Sequence, residues 1–163
     1  MEISEHTKNE LVEIYNTLSE YEKTQMGDKD GLINIYTFCF HIARKGGNPI
    51  GFSMLETIPE RYKNEKVNEL CIICAIKPNY RGTGAGQFLI REAVKDFAKS
   101  DFDQIIWNCD KKNIASERLA KKCGFSFGWE KDNGETNVFI MTNPEKAYKL
   151  LKTHFYGWDD ADK

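Results

Sequence analysis

At 163 residues the chain is long enough for one domain with a substantial core and too short to expect two, so it is read as a single domain over residues 1–163. Lys and Arg total 23 against 25 Asp and Glu, a formal net charge of -2, so no field of one sign announces a nucleic-acid or anionic-membrane partner. The apolar run from Leu70 to Ile76 falls far short of the roughly 20 residues that cross a bilayer, and Met1-Glu2-Ile3-Ser4-Glu5 has neither a basic flank nor an apolar signal core; a cytoplasmic location follows as the expectation.

In chain order, Leu11, Ile14, Tyr15 and Leu18 stand at helical spacing, with Thr7 as cap and Glu10 three residues on. Gly27-Asp28-Lys29-Asp30-Gly31 breaks that helix, and Leu32 to Ala43 is dense in β-branched and aromatic residues, which predicts a long strand. Lys45-Gly46-Gly47-Asn48 supplies a tight turn, and Pro49 to Ile58 returns as the second strand of a hairpin. After a polar connection from Arg61 to Lys66, Leu70 to Ile76 is apolar at every position, as a central strand covered on both faces requires. Gln87 to Lys99 carries Leu89, Ile90, Ala93, Val94 and Phe97 on one helical face. Phe102 to Cys109 then reads as a strand, and Ile114 to Cys123 as a short helix stopped by Gly124. Phe125 to Lys131 and Thr136 to Thr142 flank the hairpin turn Asp132-Asn133-Gly134-Glu135, and Pro144 opens a last helix. The sum is a mixed α/β domain with an antiparallel front half and a strand–helix–strand–helix back half ending in a hairpin.

The five cysteines, Cys39, Cys71, Cys74, Cys109 and Cys123, sit in apolar runs and are read as reduced thiols. Cys71 and Cys74 form a C-x-x-C pattern, but residues three apart on a strand point to opposite faces and no second pair lies at zinc-finger spacing, so no metal centre is expected.

Chemistry concentrates in Tyr80-Arg81-Gly82-Thr83-Gly84-Ala85-Gly86, between the central strand and its helix. A helix start offers unpaired N–H donors and partial positive charge, and absent Cβ atoms let a pyrophosphate approach the backbone; Arg81 adds a charge-assisted contact. A triphosphate P-loop needs G-x-x-x-x-G-K-[ST], whereas Gly86 is followed by Gln87-Phe88. A dinucleotide fingerprint needs G-x-G-x-x-G; the glycines here give G-x-G-x-G, although Asp110 imitates the ribose-binding acid and keeps that alternative open. Coenzyme A is the third candidate.

R-G-T-G-A-G resembles the Arg/Gln-x-x-Gly-x-Gly/Ala motif of the GNAT N-acetyltransferases, and Ala75-Ile76-Lys77-Pro78 looks like the exit of that family's fourth strand. Asn113-x-x-Ser116-x-x-Leu119-x-x-Lys122-x-Gly124-Phe125 is similar to its second motif. The resemblance covers about residues 50–139. It implies a GNAT-like fold with a splayed central strand pair and helices on both faces, and acetyl-CoA as the cosubstrate. Pantetheine would lie along the backbone from Cys74 to Ile76, and the pyrophosphate on Arg81, Gly82, Thr83, Gly84, Ala85 and Gly86. Asn113 and Ser116 would meet the pantetheine arm, Asn113 also serving as a helix cap.

The implied activity is acetyl transfer to a primary amine of a small molecule or peptide by direct attack on the thioester. The family's usual acid, a tyrosine, is replaced by Ala120, and Glu69 and Glu56 are the candidate bases. His41, placed mid-strand, is read as a satisfied side chain. That replacement leaves a non-catalytic acyl-CoA-binding module of the same fold as the alternative, with a dinucleotide-binding protein behind it. Family members often dimerise, which makes a homodimer an expectation as well.

Overall fold

The computed structural model describes residues 3–60 and 68–142, so the expected polar connection and the helix from Pro144 lie outside the described residues. Helix α1 (Glu5–Asn16) buries Glu10, Leu11 and Ile14 and is capped by Ser4, whose hydroxyl accepts from the Thr7 amide; the expected cap, Thr7, is already inside the helix. A second helix that periodicity did not predict, α2 (Glu20–Met26), follows at once. Its start is a capping box in which the Ser19 hydroxyl and the Glu22 carboxylate each accept the other residue's amide.

Strand β1 (Thr37–Lys45) turns at Gly46-Gly47 into β2 (Asn48–Thr57), an antiparallel hairpin as expected. The strand starts five residues later than its composition suggests. Leu32 is 4 % exposed because it packs among the α1 side chains, whereas Ile35 is 89 % exposed, so these apolar residues belong to a turn. Strand β3 (Glu69–Ile76) lies antiparallel to β2. Helix α3 (Ala85–Ala98) crosses to β4 (Gln104–Asp110), parallel to β3. Helix α4 (Ile114–Lys122) leads to β5 (Ser126–Lys131) and β6 (Thr136–Thr142), an antiparallel hairpin whose turn holds Asp132, Asn133 and Gly134 at positive φ.

The six described strands run β1-β2-β3-β4-β6-β5. Helix α1 packs on one face through Leu11 and Ile14, joined by Leu18 just past its end, against Phe52, Met54 and Ala75. Helix α3 packs on the other through Ile90, Ala93, Val94 and Phe97 against Leu55, Leu70, Ile72 and Ile105. Each helix presents one apolar stripe to one face of the sheet, which is the layered arrangement the sequence pattern calls for. Arg44 of β1 donates two hydrogen bonds, of 2.7 and 2.6 Å, to the buried Glu10 carboxylate, tying α1 to the sheet edge. This antiparallel front half also removes the dinucleotide reading, because a doubly wound nucleotide fold is built on parallel strands.

Candidate acyl-coenzyme site

Strands β3 and β4 pair only at Glu69–Gln104, Leu70–Ile105 and Cys71–Ile106. From Ile72 onward β3 pairs with β2 alone, and from Trp107 onward β4 pairs with β6 alone. The two strands therefore splay, and their facing backbone edges border a cleft of about 830 Å³. This is one reason the apolar run of β3 is not buried throughout; Cys71 and Ile73, outside the lining, are half-buried as well. Leu70, Ile72 and Ala75 are buried, while Cys74 and Ile76 are only half-buried because they line the opening.

The glycine loop closes one end of the cleft. Gly82 and Gly84 have φ of 75° and 93°, left-handed values that L side chains rarely adopt, and Gly84 is the N-cap of α3 without any side-chain cap. The first-turn amides of a 14-residue helix are thus presented to the cleft with the helix's partial positive charge behind them. A Cβ on Gly86 would lie 3.1 Å from the Leu119 side chain, so glycine there lets α3 and α4 approach across the cleft floor. Thr83 spends its hydroxyl on the Tyr80 carbonyl at 2.6 Å, stiffening the loop. Arg81 donates to the Ile76 carbonyl at 3.2 Å and pairs with Glu22.

On the opposite wall Asn113 caps α4, its side-chain oxygen accepting from the Ser116 amide at 3.1 Å. The Trp107 indole N–H donates to the Ser116 hydroxyl at 3.0 Å, which leaves that hydroxyl its own proton to donate. Cys74, Ile76, Arg81, Gly82, Thr83, Gly84, Gly86, Asn113 and Ser116 all line the cleft. Ala85 does not line it, since its methyl group is buried against Ala43, Ile50 and Leu89. Ala120 is also fully buried, packed with Cys123 and Phe125 behind the cleft wall.

Glu56 and Glu69 stand apart from the cleft lining, at the paired end of β3 and on the sheet face of α1. Glu56 is the cross-strand neighbour of Cys71, and burial raises its carboxyl above the ordinary value. Glu69 accepts a hydrogen bond from the Gln104 amide at 2.5 Å. Asn108 completes this group by donating to the Cys71 sulfur at 3.6 Å. Cys71 thus turns away from Cys74, as strand alternation predicts, and the five cysteines are free.

Sequence reasoning missed the contributions of α2 and of Trp107. Ser19, Tyr21 and Glu22 form the rim of the cleft, and the Tyr21 hydroxyl donates to the Asp110 carboxylate, a hydrogen bond that pushes the phenol up to about 12. The S-x-x-E spacing of Ser19 and Glu22 was the available signal for that helix. Lys112 and Lys122 add positive charge along the lining.

A mixed sheet opened between two parallel strands, with an uncapped glycine-led helix at the mouth, defines a domain that binds an extended phosphorylated cofactor. The chain belongs to the Acetyltransferase (GNAT) family, whose sequence model matches residues 3–125. No curated protein matches the sequence. Among solved structures, PaiA N-acetyltransferase from Thermoplasma acidophilum in complex with coenzyme A is 18 % identical with a TM-score of 0.66, covering 88 % of this chain and 97 % of that one. The GNAT domain of PAT from S. lividans is 12 % identical with a TM-score of 0.72, over 86 % and 88 %. The ribosomal-protein-S18-alanine N-acetyltransferase of Escherichia coli is 14 % identical with a TM-score of 0.57, over 86 % and 89 %. At these identities the likeness is one of fold. Among the described residues no helix is long and apolar enough to cross a membrane.

Proposed function

We propose that this chain is an acetyl-CoA-dependent N-acetyltransferase acting on a primary amine of a small molecule or peptide. The observation that carries the reading is the splay of β3 from β4 beside the uncapped start of α3. Unpaired strand edges accept an amide-bearing pantetheine arm as they would another strand, and the first-turn amides with Arg81, Lys112 and Lys122 suit its phosphates. Acetyl-CoA supplies an activated acyl thioester.

The chain's own residues must handle protons. A lysine-like amine with a pKa near 10.4 is neutral in only about one molecule in 2,500 at pH 7, so a base is needed to release the nucleophile. Glu56 is that base in this reading. Its raised carboxyl is better matched to neutral pH than an ordinary carboxylate, and Glu69 nearby, held by Gln104, adds negative charge that draws a cationic amine to this face. Ser116, oriented by Trp107, hydrogen-bonds the departing sulfur in place of the missing tyrosine.

The test is thiol release from acetyl-CoA against a panel of small amines, polyamines, amino acids and peptide N-termini. Release with an acetylated product of matching mass supports the reading. Coenzyme A binding without release across the panel would reassign the chain as an acyl-CoA-binding module, and failure to bind coenzyme A would overturn both.

A further inference from the structure

On the far side of the molecule from the glycine loop, Cys39 and His41 alternate on β1 and so project from the same face, toward Asp96 near the end of α3. Asp96 lies 12 residues beyond Gly84, about 18 Å along the helix, so this cluster is separate from the acyl-coenzyme cleft. The His41 Nε2 is 2.6 Å from an Asp96 oxygen, and the thiol, imidazole and carboxylate ligand atoms all lie within 4.8 Å of one another. We propose that Cys39, His41 and Asp96 form a binding site for a borderline divalent transition ion of the Zn²⁺ type, which fastens the edge strand β1 to α3.

The ligand chemistry selects the ion. One thiolate, one imidazole and one carboxylate suit Zn²⁺ and its neighbours, whereas Mg²⁺ and Ca²⁺ take oxygen shells. The thiolate and carboxylate together offset the ion's double charge, with the imidazole neutral. Tetrahedral bonds of about 2.0–2.3 Å set ligand atoms about 3.4–3.6 Å apart, so the His41–Asp96 pair must open from 2.6 Å, an adjustment within the reach of side-chain torsions. The His41 and Asp96 side chains are 27 % and 35 % exposed, which leaves a fourth position for water and an entry path. Metal binding exchanges the Cys39 thiol proton for an S–metal bond and releases that proton to solvent.

The probe is Co²⁺, whose thiolate charge-transfer absorption in the near ultraviolet reports a sulfur ligand directly, followed by displacement with Zn²⁺. The expected result with the full chain is one equivalent bound with a thiolate band, lost in Cys39→Ser and retained in Cys71→Ser. Asp96→Asn keeps the thiol and the side-chain volume. It should weaken binding by more than about tenfold, since even groups that only orient a ligand are typically worth 10–100-fold. Near-ultraviolet circular dichroism verifies that this variant keeps its packing. Absence of a thiolate band at one equivalent, or a band that survives Cys39→Ser, overturns the proposal.

Discussion

Two single side chains decide how far the cleft can be read as an active site. Ala120 stands where the motif resemblance would put the family's tyrosine acid, and its methyl group is completely buried beside Cys123 and Phe125. A tyrosine there must first find room in a packed core, and overpacking of this kind typically costs about 1–3 kcal/mol. Ala120→Tyr is therefore expected to lower the melting temperature by several degrees without a gain in turnover, checked by calorimetry and thiol release on the same sample; a many-fold gain in turnover would mean that the missing phenol limits the wild-type rate. Glu56 is the second. Its carboxyl is raised in the folded chain, so its contribution to stability is present below the unfolded value of 4.5 and is lost as pH rises through the higher folded value. Glu56→Gln should thus flatten the stability profile between 4.5 and that higher value, read by chemical denaturation, and be no less stable than wild type near neutrality. Kinetically it should lower kcat near pH 7 by roughly 10²-fold or more, with recovery as rising pH deprotonates the amine unaided. Unchanged kinetics would remove Glu56 from the reaction while leaving the stability argument intact.

At the level of elements, the sheet depends on one close approach. Gly51 of β2 faces Ile76 of β3, and a Cβ there would stand 2.5 Å from the Ile76 Cδ1 and 2.8 Å from the Ala75 carbonyl oxygen. Gly51→Ala should destabilise by about 1–3 kcal/mol and also weaken coenzyme A binding, because Ile76 borders the cleft; isothermal titration and thermal melting measure the two effects separately. Wild-type affinity and stability would show that the strands shift apart freely. Elements with a strong period were legible from the sequence. Helix α3 and the glycine loop were found because apolar spacing and three glycines mark them, and the terminal hairpin because Asp132-Asn133-Gly134 has no other good use. Helix α2 was not, since it buries none of its seven residues and leaves no apolar stripe to detect. The splay itself was reached only through the family resemblance. An apolar run such as Leu70 to Ile76 looks the same whether a strand or a ligand cleft lies beside it.

Across the whole molecule, the sheet is two three-stranded halves, β1-β2-β3 and β4-β6-β5, joined along three residue pairs and bridged on one face by α3. A ligand seated in the opening contacts both halves and acts as a missing strand would. Binding to the folded state alone stabilises by RT ln(1 + [L]/Kd), about 2.7 kcal/mol at a hundredfold excess over Kd, which for a chain of this size is a rise in melting temperature of roughly 5–10 °C. Coenzyme A should produce that rise and NAD should not. The location of the effect is the sharper measurement. Amides of Ile72 to Ile76 that face the gap rather than β2, together with the first-turn amides of α3, should exchange with solvent more slowly when coenzyme A is bound. Amides of the β1–β2 hairpin, already paired across the sheet, should change little. Protection spread evenly over the chain would indicate general tightening. Protection confined to α3 would place the phosphates on the loop but leave pantetheine outside the splay, and direct attack on a thioester held between the strands would then lose its structural basis.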